Sequence, residues 1–278
     1  MSARIFNGKL AAEEILDNVA KRIKKLKKAP KLLSFYNPKD SASTIYTRIK
    51  KQKAEGVGIE FQGIEIGWID EAVQKLVEAG KERDVTGILV QHPTGEFAFE
   101  GDDWARLVNA INLEKDVDGL REDSPFVPAT VKAILVALEQ ALRLPFGKLR
   151  IAQGEQQELL NCKIAVVGAT GMVGSRLVQF LKGKGARVKG IDEITQDMWF
   201  QTKNSDVVIS AVGKHNLIHG DMIKNDAVVI DVGSPGGDVN FESASAVASF
   251  ITPVPGGIGP LTVACLLENT VLAAEKNF

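Results

Sequence analysis

The sequence predicts an α/β protein with two α/β domains, the second built on a doubly wound parallel sheet. An apolar, β-branched run over 163–167 leads through glycines straight into a helical pattern, as a buried strand turning into a helix does. Buried-strand patterns recur over 186–191, 207–212 and 227–232. The first half also mixes helical patterns with short strands, and 278 residues are enough for two cores.

The glycine-rich stretch after the first of these strands predicts a dinucleotide site. Glycines with GxxGxxG spacing allow a tight turn, close approach to a pyrophosphate and packing of helix on strand. The helix N-terminus then offers free N–H groups to the phosphates. An ordinary strand-to-helix turn is the alternative interpretation. The candidate cofactor contacts here are Gly168, Ala169, Thr170, Gly171, Met172, Val173 and Gly174.

Asp192, at the end of the following strand, indicates which dinucleotide is bound. A carboxylate at this place commonly accepts hydrogen bonds from the adenosine ribose, and its charge repels a 2′-phosphate. The sequence therefore favours NAD over NADP. The alternatives are that Asp192 is a solvated strand end, or that Arg187 or Lys189 meets a phosphate.

Composition and charge favour a cytoplasmic protein. The net charge of −1 gives no electrostatic reason to expect nucleic acid or an anionic membrane as partner. The two cysteines form no CxxC pair, which fits reduced core residues. We recognise neither a signal-peptide core nor an apolar run of about 20 residues. His215 and His219 have helical metal-ligand spacing, but neighbouring glycines indicate a loop, so no metal is predicted.

The elements of the first half place several polar side chains together. Serines 41 and 43 can cap a helix on which Tyr46 and Lys50, four residues apart, share one face. Gln91 lies at the carboxyl end of a strand, where open α/β sheets place ligands. The remaining predictions are helices over 9–29, 68–79, 104–111, 131–143 and 263–274, strands over 31–36 and 86–91, a charged loop over 115–119 and a turn-rich loop over 251–262.

Four motifs in a fixed order carry a resemblance to a known family. The chain resembles methylenetetrahydrofolate dehydrogenase/methenyltetrahydrofolate cyclohydrolase in Tyr46-x-x-x-Lys50, in Gly87-Ile88-Leu89-Val90-Gln91-x-Pro93, in Lys115-Asp116-Val117-Asp118-Gly119, and in the run from Pro253 to Thr262. The resemblance implies a catalytic domain over 1–127 completed by a C-terminal helix at 262–278, and a Rossmann-like domain over 128–261. It also implies a folate cleft between the domains, NAD or NADP as cofactor, and a homodimer.

The resemblance assigns roles to named residues. Lys50 would be the catalytic acid or base, Gln91 would hydrogen-bond Lys50 or the attacking water, Tyr46 would orient the pterin, and Asp118 would hold its polar edge. A lysine partly desolvated beside a cationic methenyl carbon exchanges protons near neutral pH. The remaining implied contacts are Pro255, Gly256 and Gly257 for substrate, and Ala211, Val212, Gly213 and Gly233 for cofactor.

Some positions depart from the family pattern. Thr170 stands where the family has serine, Arg176 where it has proline, and His92 where it has an apolar residue. The loop between Gly119 and Pro128 is short. The leading hypothesis is a bifunctional enzyme that oxidises 5,10-methylenetetrahydrofolate and hydrolyses the methenyl product to 10-formyltetrahydrofolate. The alternatives are a dehydrogenase without the hydrolase activity and a catalytically silent nucleotide-binding protein.

Overall fold

The computed structural model describes residues 3–93, 97, 99, 101–143, 161–192 and 194–277. The chain divides into two compact units. The six-stranded unit comprises Met1–Ala11 and Thr130–Thr262, and the three-stranded unit comprises Ala12–Ala129 and Val263–Phe278. The predicted domain boundaries at 127/128 and 261/262 stay predictions; the unit division assigns the N-terminal residues to the six-stranded unit, whereas the prediction placed them in the catalytic domain.

A parallel sheet in the order β3–β2–β4 forms the centre of the three-stranded unit. Its central strand β2 is followed by helix α2, which begins at the side-chain cap Asp40 and ends where Gly58 adopts a left-handed conformation. The elements are α1 Gly8–Ile23, β2 Lys31–Tyr36, α2 Ser41–Val57, β3 Glu60–Glu65, α3 Ile69–Lys81, β4 Gly87–Val90 and α4 Asp103–Ala110. The division between the units falls within α1, after Ala11.

The core of this unit follows from strand alternation. Leu33 and Phe35 on β2 and Ile88 and Val90 on β4 belong to one buried cluster, which also contains Leu76 of α3. Burying each such side chain stabilises the fold by about 1.5–3 kcal/mol. The intervening residues face the opposite side of the sheet, toward α2, so Gln91 at the end of β4 is directed to the helix that carries Lys50.

Two predictions for this unit are corrected by the structure. Helix α1 ends at Ile23 rather than at 29, because the lysine-rich segment that follows supplies few apolar side chains to bury. Strand β3 was missed, since it lies at the edge of the sheet and is mostly exposed, so its sequence lacks a regular apolar pattern.

The six-stranded unit contains a parallel sheet in the order β1–β9–β8–β7–β5–β6. Chain order reverses at β5, which pairs with β6 on one side and with β7 on the other. This is the switch point at which doubly wound sheets bind ligands. The elements are β1 Arg4–Ile5, α5 Ala129–Ala141, β5 Lys163–Val167, α6 Met172–Gly183, β6 Arg187–Ile191, α7 Met198–Lys203, β7 Val207–Ser210, β8 Val228–Asp231, α8 Phe241–Ser245 and β9 Phe250–Ile251. The last helix, α9 Ile258–Asn277, begins in this unit and belongs to the three-stranded unit from Val263 onward.

Helix α9 begins at Ile258, inside the stretch that the sequence analysis treated as a loop up to 262. Over Ile258–Lys276 it is long and apolar enough to cross a membrane by length and composition alone, which the sequence analysis did not anticipate, and it is the one such helix among the described residues. Two thirds of its most apolar window (67%) is buried inside the protein, as in the core helix of a globular domain.

Candidate functional site

Three of the predicted catalytic residues meet in the three-stranded unit. Helix α2 carries Lys50, the end of β4 carries Gln91, and the loop after α4 carries Asp118. The Lys50 ammonium nitrogen donates a hydrogen bond of 2.7 Å to the Gln91 side-chain oxygen. The Gln91 backbone N–H in turn donates to the Phe35 carbonyl of β2 at 2.8 Å, which fixes the end of β4. The arrangement therefore stands at the carboxyl edge of the sheet, as predicted.

The electrostatics of this group favour proton transfer. Burial lowers the pKa of Lys50 from its ordinary value, and the attraction of the Asp118 carboxylate acts in the opposite direction. Burial likewise raises the pKa of Asp118, and the Lys50 charge opposes that change. The two groups are thus half-buried partners of opposite charge, and Lys50 titrates closer to neutral pH than a solvated lysine.

The loop that presents Asp118 is fastened by its own charged residues. Lys115 donates hydrogen bonds to the carbonyls of Gly80 (2.9 Å) and Glu82 (2.6 Å) at the end of α3. The buried Asp116 carboxylate accepts the backbone N–H groups of Leu120 and Arg121 at 3.0 and 2.9 Å. Burial raises the pKa of Asp116 to about 6. The loop that the sequence predicted as charged is therefore an ordered support for Asp118.

Asn269 of α9 ties this loop to the end of the chain. Its buried side-chain amide donates to the carbonyls of Val117 at 2.9 Å and Val127 at 3.0 Å. Sequence analysis missed Asn269, because nothing in the apolar pattern of α9 singles it out.

Replacing Asn269 by leucine is expected to destabilise the protein by about 1–3 kcal/mol, because two carbonyls would lose their donor. Thermal unfolding measures the change. The control is Thr270→Val, which removes a buried hydroxyl that donates to Leu266 within α9 and should cost less. Equal melting temperatures for Asn269→Leu and the wild type would show that the two hydrogen bonds of Asn269 are dispensable for stability.

Tyr46, the remaining predicted catalytic residue, lies one turn before Lys50 on α2. It is exposed, as are its apolar helix neighbours Ile45 and Ile49. An exposed aromatic ring beside a half-buried lysine can stack on a flat ligand. Its assignment to pterin binding stays a prediction.

The predicted cofactor loop of the six-stranded unit is built by close backbone contacts. Gly168 has a φ of +84° and donates its N–H to the Ile191 carbonyl at 2.8 Å. A methyl group at Gly174 would lie 2.0 Å from the Gly168 carbonyl oxygen, so the helix can start here only with glycine. The stretch Ala211–Gly213 follows β7 on the other side of the switch point. Loop and helix N-terminus thus form a cradle suited to a pyrophosphate.

Asp192 has a contact that sequence reasoning did not anticipate. One carboxylate oxygen accepts both the backbone N–H of Thr170 at 2.9 Å and its hydroxyl at 3.0 Å. The carboxylate therefore fastens the glycine-rich loop through one of its two oxygens. Arg187 opens β6, at the end of the strand opposite Asp192, and Lys189 is exposed on the same strand.

Gly233 belongs to a turn held by buried carboxylates. Asp231 accepts the backbone N–H groups of Gly233 (2.8 Å), Asp238 (3.0 Å) and Val239 (2.9 Å). Asp238 accepts the Val212 N–H at 2.7 Å, which joins this turn to the end of β7. Sequence analysis did not assign Asp238 a role. These contacts place both predicted cofactor stretches, 211–213 and 233, at neighbouring strand ends.

A cavity of about 310 Å³ opens beside this turn, lined among others by Gly213, His215, Ser234 and Asp238. His215 lies in a loop, with its Nδ1 2.9 Å from the Gly236 carbonyl oxygen. Within the described ranges we find no group of three His, Cys, Asp or Glu side chains arranged to bind a metal.

The predicted substrate loop packs against the N-terminal segment. A Cβ atom at Gly8 would lie 1.9 Å from the Gly257 carbonyl oxygen and 2.6 Å from that of Gly256. The loop that contains Pro255, Gly256 and Gly257 is therefore in backbone contact with the start of α1. Its role in substrate binding stays a prediction.

Comparison with known proteins identifies the relatives of this chain. Residues 6–118 match the model of the tetrahydrofolate dehydrogenase/cyclohydrolase catalytic domain, and residues 144–278 match the NAD(P)-binding domain of the same family. The bifunctional protein FolD of Moorella thermoacetica is 37% identical over 298 residues, which cover 99% of this chain and 100% of that protein.

Solved structures agree with this comparison. The Campylobacter jejuni bifunctional enzyme FolD, a methylenetetrahydrofolate dehydrogenase/cyclohydrolase, is 28% identical and superposes with a TM-score of 0.85, covering 100% of both chains. The Trypanosoma brucei enzyme, solved with NADP and an inhibitor, is 26% identical with a TM-score of 0.85, covering 99% of this chain and 98% of that one. The predicted family resemblance and the predicted fold class are confirmed.

Proposed function

This chain belongs to the tetrahydrofolate dehydrogenase/cyclohydrolase family, and we propose that it performs both reactions, with Lys50 as the proton-transfer group. It oxidises 5,10-methylenetetrahydrofolate to the 5,10-methenyl form and hydrolyses that product to 10-formyltetrahydrofolate. It is thus an oxidoreductase and a hydrolase of one-carbon metabolism. The observation that carries the residue assignment is the 2.7 Å hydrogen bond between Lys50 and Gln91 at the carboxyl edge of the sheet.

In the hydrolytic step, Lys50 acts on water. Loss of hydride leaves a cationic methenyl carbon, which attracts the oxygen of a water molecule. The neutral Lys50 amine removes a proton from this water as the C–O bond forms, and the ammonium then protonates the ring nitrogen whose C–N bond breaks. Gln91 can accept from Lys50 and donate to the water at once. The products are 10-formyltetrahydrofolate and one released proton.

The pH dependence follows from the lowered pKa of Lys50. Only the neutral amine removes a proton, and its population grows as pH rises through the pKa of the folded enzyme. Burial lowers this pKa below the ordinary value of 10.5, so the rate of hydrolysis rises with pH at less alkaline values than a solvated lysine would allow. Asp118 limits the shift and offers a carboxylate to the N–H groups of a pterin.

The dinucleotide is held by the six-stranded unit. When bound, the dinucleotide would supply the hydride acceptor for the oxidation of the methylene carbon. Gly168, Gly171 and Gly174 would receive the pyrophosphate at the N-terminus of α6, and the second oxygen of Asp192 would accept a ribose hydroxyl. Its charge would repel a 2′-phosphate, so we infer a preference for NAD over NADP.

The test follows methylenetetrahydrofolate-dependent reduction of NAD and NADP side by side, and methenyltetrahydrofolate hydrolysis without any dinucleotide. We expect reduction of both dinucleotides with NAD preferred, and hydrolysis above the uncatalysed rate. Reduction without hydrolysis would identify an enzyme confined to dehydrogenation. A preference for NADP would leave the enzyme assignment intact and contradict the role of Asp192.

Replacing Asp192 by serine is expected to raise the ratio of kcat/KM for NADP over NAD at least tenfold, since the repelling charge disappears. Loss of the bonds to Thr170 would weaken binding of both dinucleotides to similar extents. Thr170→Val is the control, because it removes the hydroxyl contact and keeps the carboxylate. An unchanged ratio in Asp192→Ser would contradict the proposed discrimination.

We further propose a cytoplasmic homodimer that associates through the six-stranded unit. Strand β6 is an edge of the sheet. Beside it Phe200 and Trp199 of α7 are about half exposed, at 57% and 49%. Light scattering after size exclusion is expected to give twice the mass of one chain, and Phe200→Glu should give a monomer. Phe241→Glu, at an exposed phenylalanine on α8, is the control. A monomeric wild type would contradict the proposal.

A further inference from the structure

His92 directly follows Gln91 at the end of β4, and the two side chains have different partners. The Gln91 amide accepts from Lys50 on α2. The His92 ring instead contacts the rings of Phe99 and of Trp104, the latter on α4. This dipeptide therefore links the helix that carries Lys50 to an aromatic group elsewhere in the same unit.

The rings of His92, Phe99 and Trp104 form what we call the aromatic clamp. The His92 and Trp104 centroids are 4.6 Å apart at an interplanar angle of 68°, and those of His92 and Phe99 are 6.3 Å apart at 89°. Both are edge-to-face arrangements, which aromatic rings favour. Phe99 and Trp104 stack on each other at 5.9 Å. The two neighbouring rings thus hold the imidazole in one defined position.

Burial in this position favours a neutral imidazole. Burial lowers the pKa of His92, while a hydrogen bond to the Pro93 carbonyl and the attraction of Asp40 raise it by smaller amounts. On α4, Asp103 pairs with Arg106 at 3.1 Å. On α2, the cation of Lys50 is bonded to Gln91. Among the described residues, Asp40 is the carboxylate whose attraction raises the pKa of His92 and toward which a protonated ring would be drawn.

Asp40 has a task of its own at the start of α2. Its two carboxylate oxygens accept the Ala42 backbone N–H at 3.0 Å and the Ser43 hydroxyl at 2.6 Å, which caps the helix that carries Lys50. An imidazolium attracted to this carboxylate would compete with the Ala42 and Ser43 donors for its oxygens and would disturb the cap. Because the capped helix carries Lys50, a disturbed cap would also move Lys50 relative to Gln91.

We propose that His92 is a positioning residue for the Lys50–Gln91 pair, whose neutral ring, held in the aromatic clamp, keeps Gln91 within hydrogen-bond reach of Lys50. Protonation of His92 draws the ring toward Asp40, disturbs the cap of α2 and loosens that pair. The inference rests on the proposed role of Lys50 in hydrolysis. It adds a dependence on a second titrating group, on the acid side of neutrality.

The experiment measures nucleotide-free hydrolysis of methenyltetrahydrofolate as a function of pH in the wild type and in His92→Leu. We expect kcat to fall about tenfold or more in His92→Leu, because small misplacement of a catalytic pair is costly. On the acid side of neutrality the wild-type rate should fall more steeply with decreasing pH than protonation of Lys50 alone gives, and this added acid limb should disappear in His92→Leu. KM for NAD in the dehydrogenase assay should stay within about twofold. The control is His219→Asn, at an exposed histidine of the six-stranded unit.

A second measurement uses the wild-type enzyme alone. The chain has three histidines, so the proton resonance of the His92 ring is assigned by its absence in His92→Leu or, if that variant does not fold, in His92→Gln. Its titration midpoint should coincide with the acid limb of kcat. A limb at a different pH, or a wild-type kcat and profile in His92→Leu, would overturn the proposal while leaving the function of Lys50 intact. Absence of hydrolysis in the wild type would overturn both.

Discussion

Lys50→Met is expected to lower kcat for methenyltetrahydrofolate hydrolysis by roughly 10²–10⁴-fold, the range that general acid–base catalysis supplies. Methionine keeps an unbranched apolar stem of the same length as that of lysine and lacks the terminal amine that donates to Gln91. Binding of NAD, measured by fluorescence titration, should be unchanged, since the cofactor loop belongs to the other unit. The residual rate of hydrolysis should no longer show the rise with pH that comes from deprotonation of Lys50.

The control for this variant is Lys53→Met, at an exposed lysine on the same helix. It removes the same charge from α2 without touching Gln91, so its hydrolysis rate should match that of the wild type. A comparable loss in both variants would mean that the helix needs positive charge in general. Retention of hydrolysis by Lys50→Met would remove Lys50 from the mechanism.

Gly174→Ala is expected to abolish cofactor binding and to destabilise the six-stranded unit. The new methyl group would lie 2.0 Å from the Gly168 carbonyl oxygen and 3.1 Å from the Ala169 Cα, and neither backbone atom can rotate away. Overpacking of this kind costs about 1–3 kcal/mol or more. Displacing the loop would also move the N–H groups that should receive the pyrophosphate. Thermal unfolding and NAD titration measure the two effects.

The matched control lies at the other end of the same helix. Around Gly183 nothing stands within 4 Å of an added Cβ, so Gly183→Ala should be stable or slightly stabilising through helix propensity. If Gly174→Ala bound NAD as well as Gly183→Ala does, the close contact would be irrelevant to the cofactor.

Sequence reasoning found the parts of the site whose signal is local. The helical spacing of Tyr46 and Lys50 and the strand that ends at Gln91 could be identified from short windows, and the structure gives the Lys50–Gln91 hydrogen bond. The hydrogen bonds that hold the loop carrying Asp118 could not be identified from short windows, because the donor Asn269 lies 152 residues from its acceptor Val117. Lys115 was identified as a loop charge, yet it caps α3, which only the folded chain brings near.

The sequence did not predict the two short strands at one side of the six-stranded sheet. Strands β1 and β9 have two residues each, too few for any periodic pattern, and exist because they pair with each other and with β8. Asp192 was singled out for its charge, but its bonds to Thr170 depend on how the loop folds back over β6. Apolar periodicity thus predicted the central strands, whereas the two-residue strands are defined only by the strands with which they pair.

The interleaved order of the two units has a consequence for how the chain is made. The six-stranded unit includes β1 at the start and β9 at 250–251, and the three-stranded unit includes residues from 12 onward and the end of α9. During synthesis, the three-stranded unit can therefore be completed only after Asn269 has been added, about 180 residues after the last strand of its sheet. A single cut of the chain or split of the gene therefore releases neither unit intact, and expressing either unit alone requires joining its two segments directly to each other.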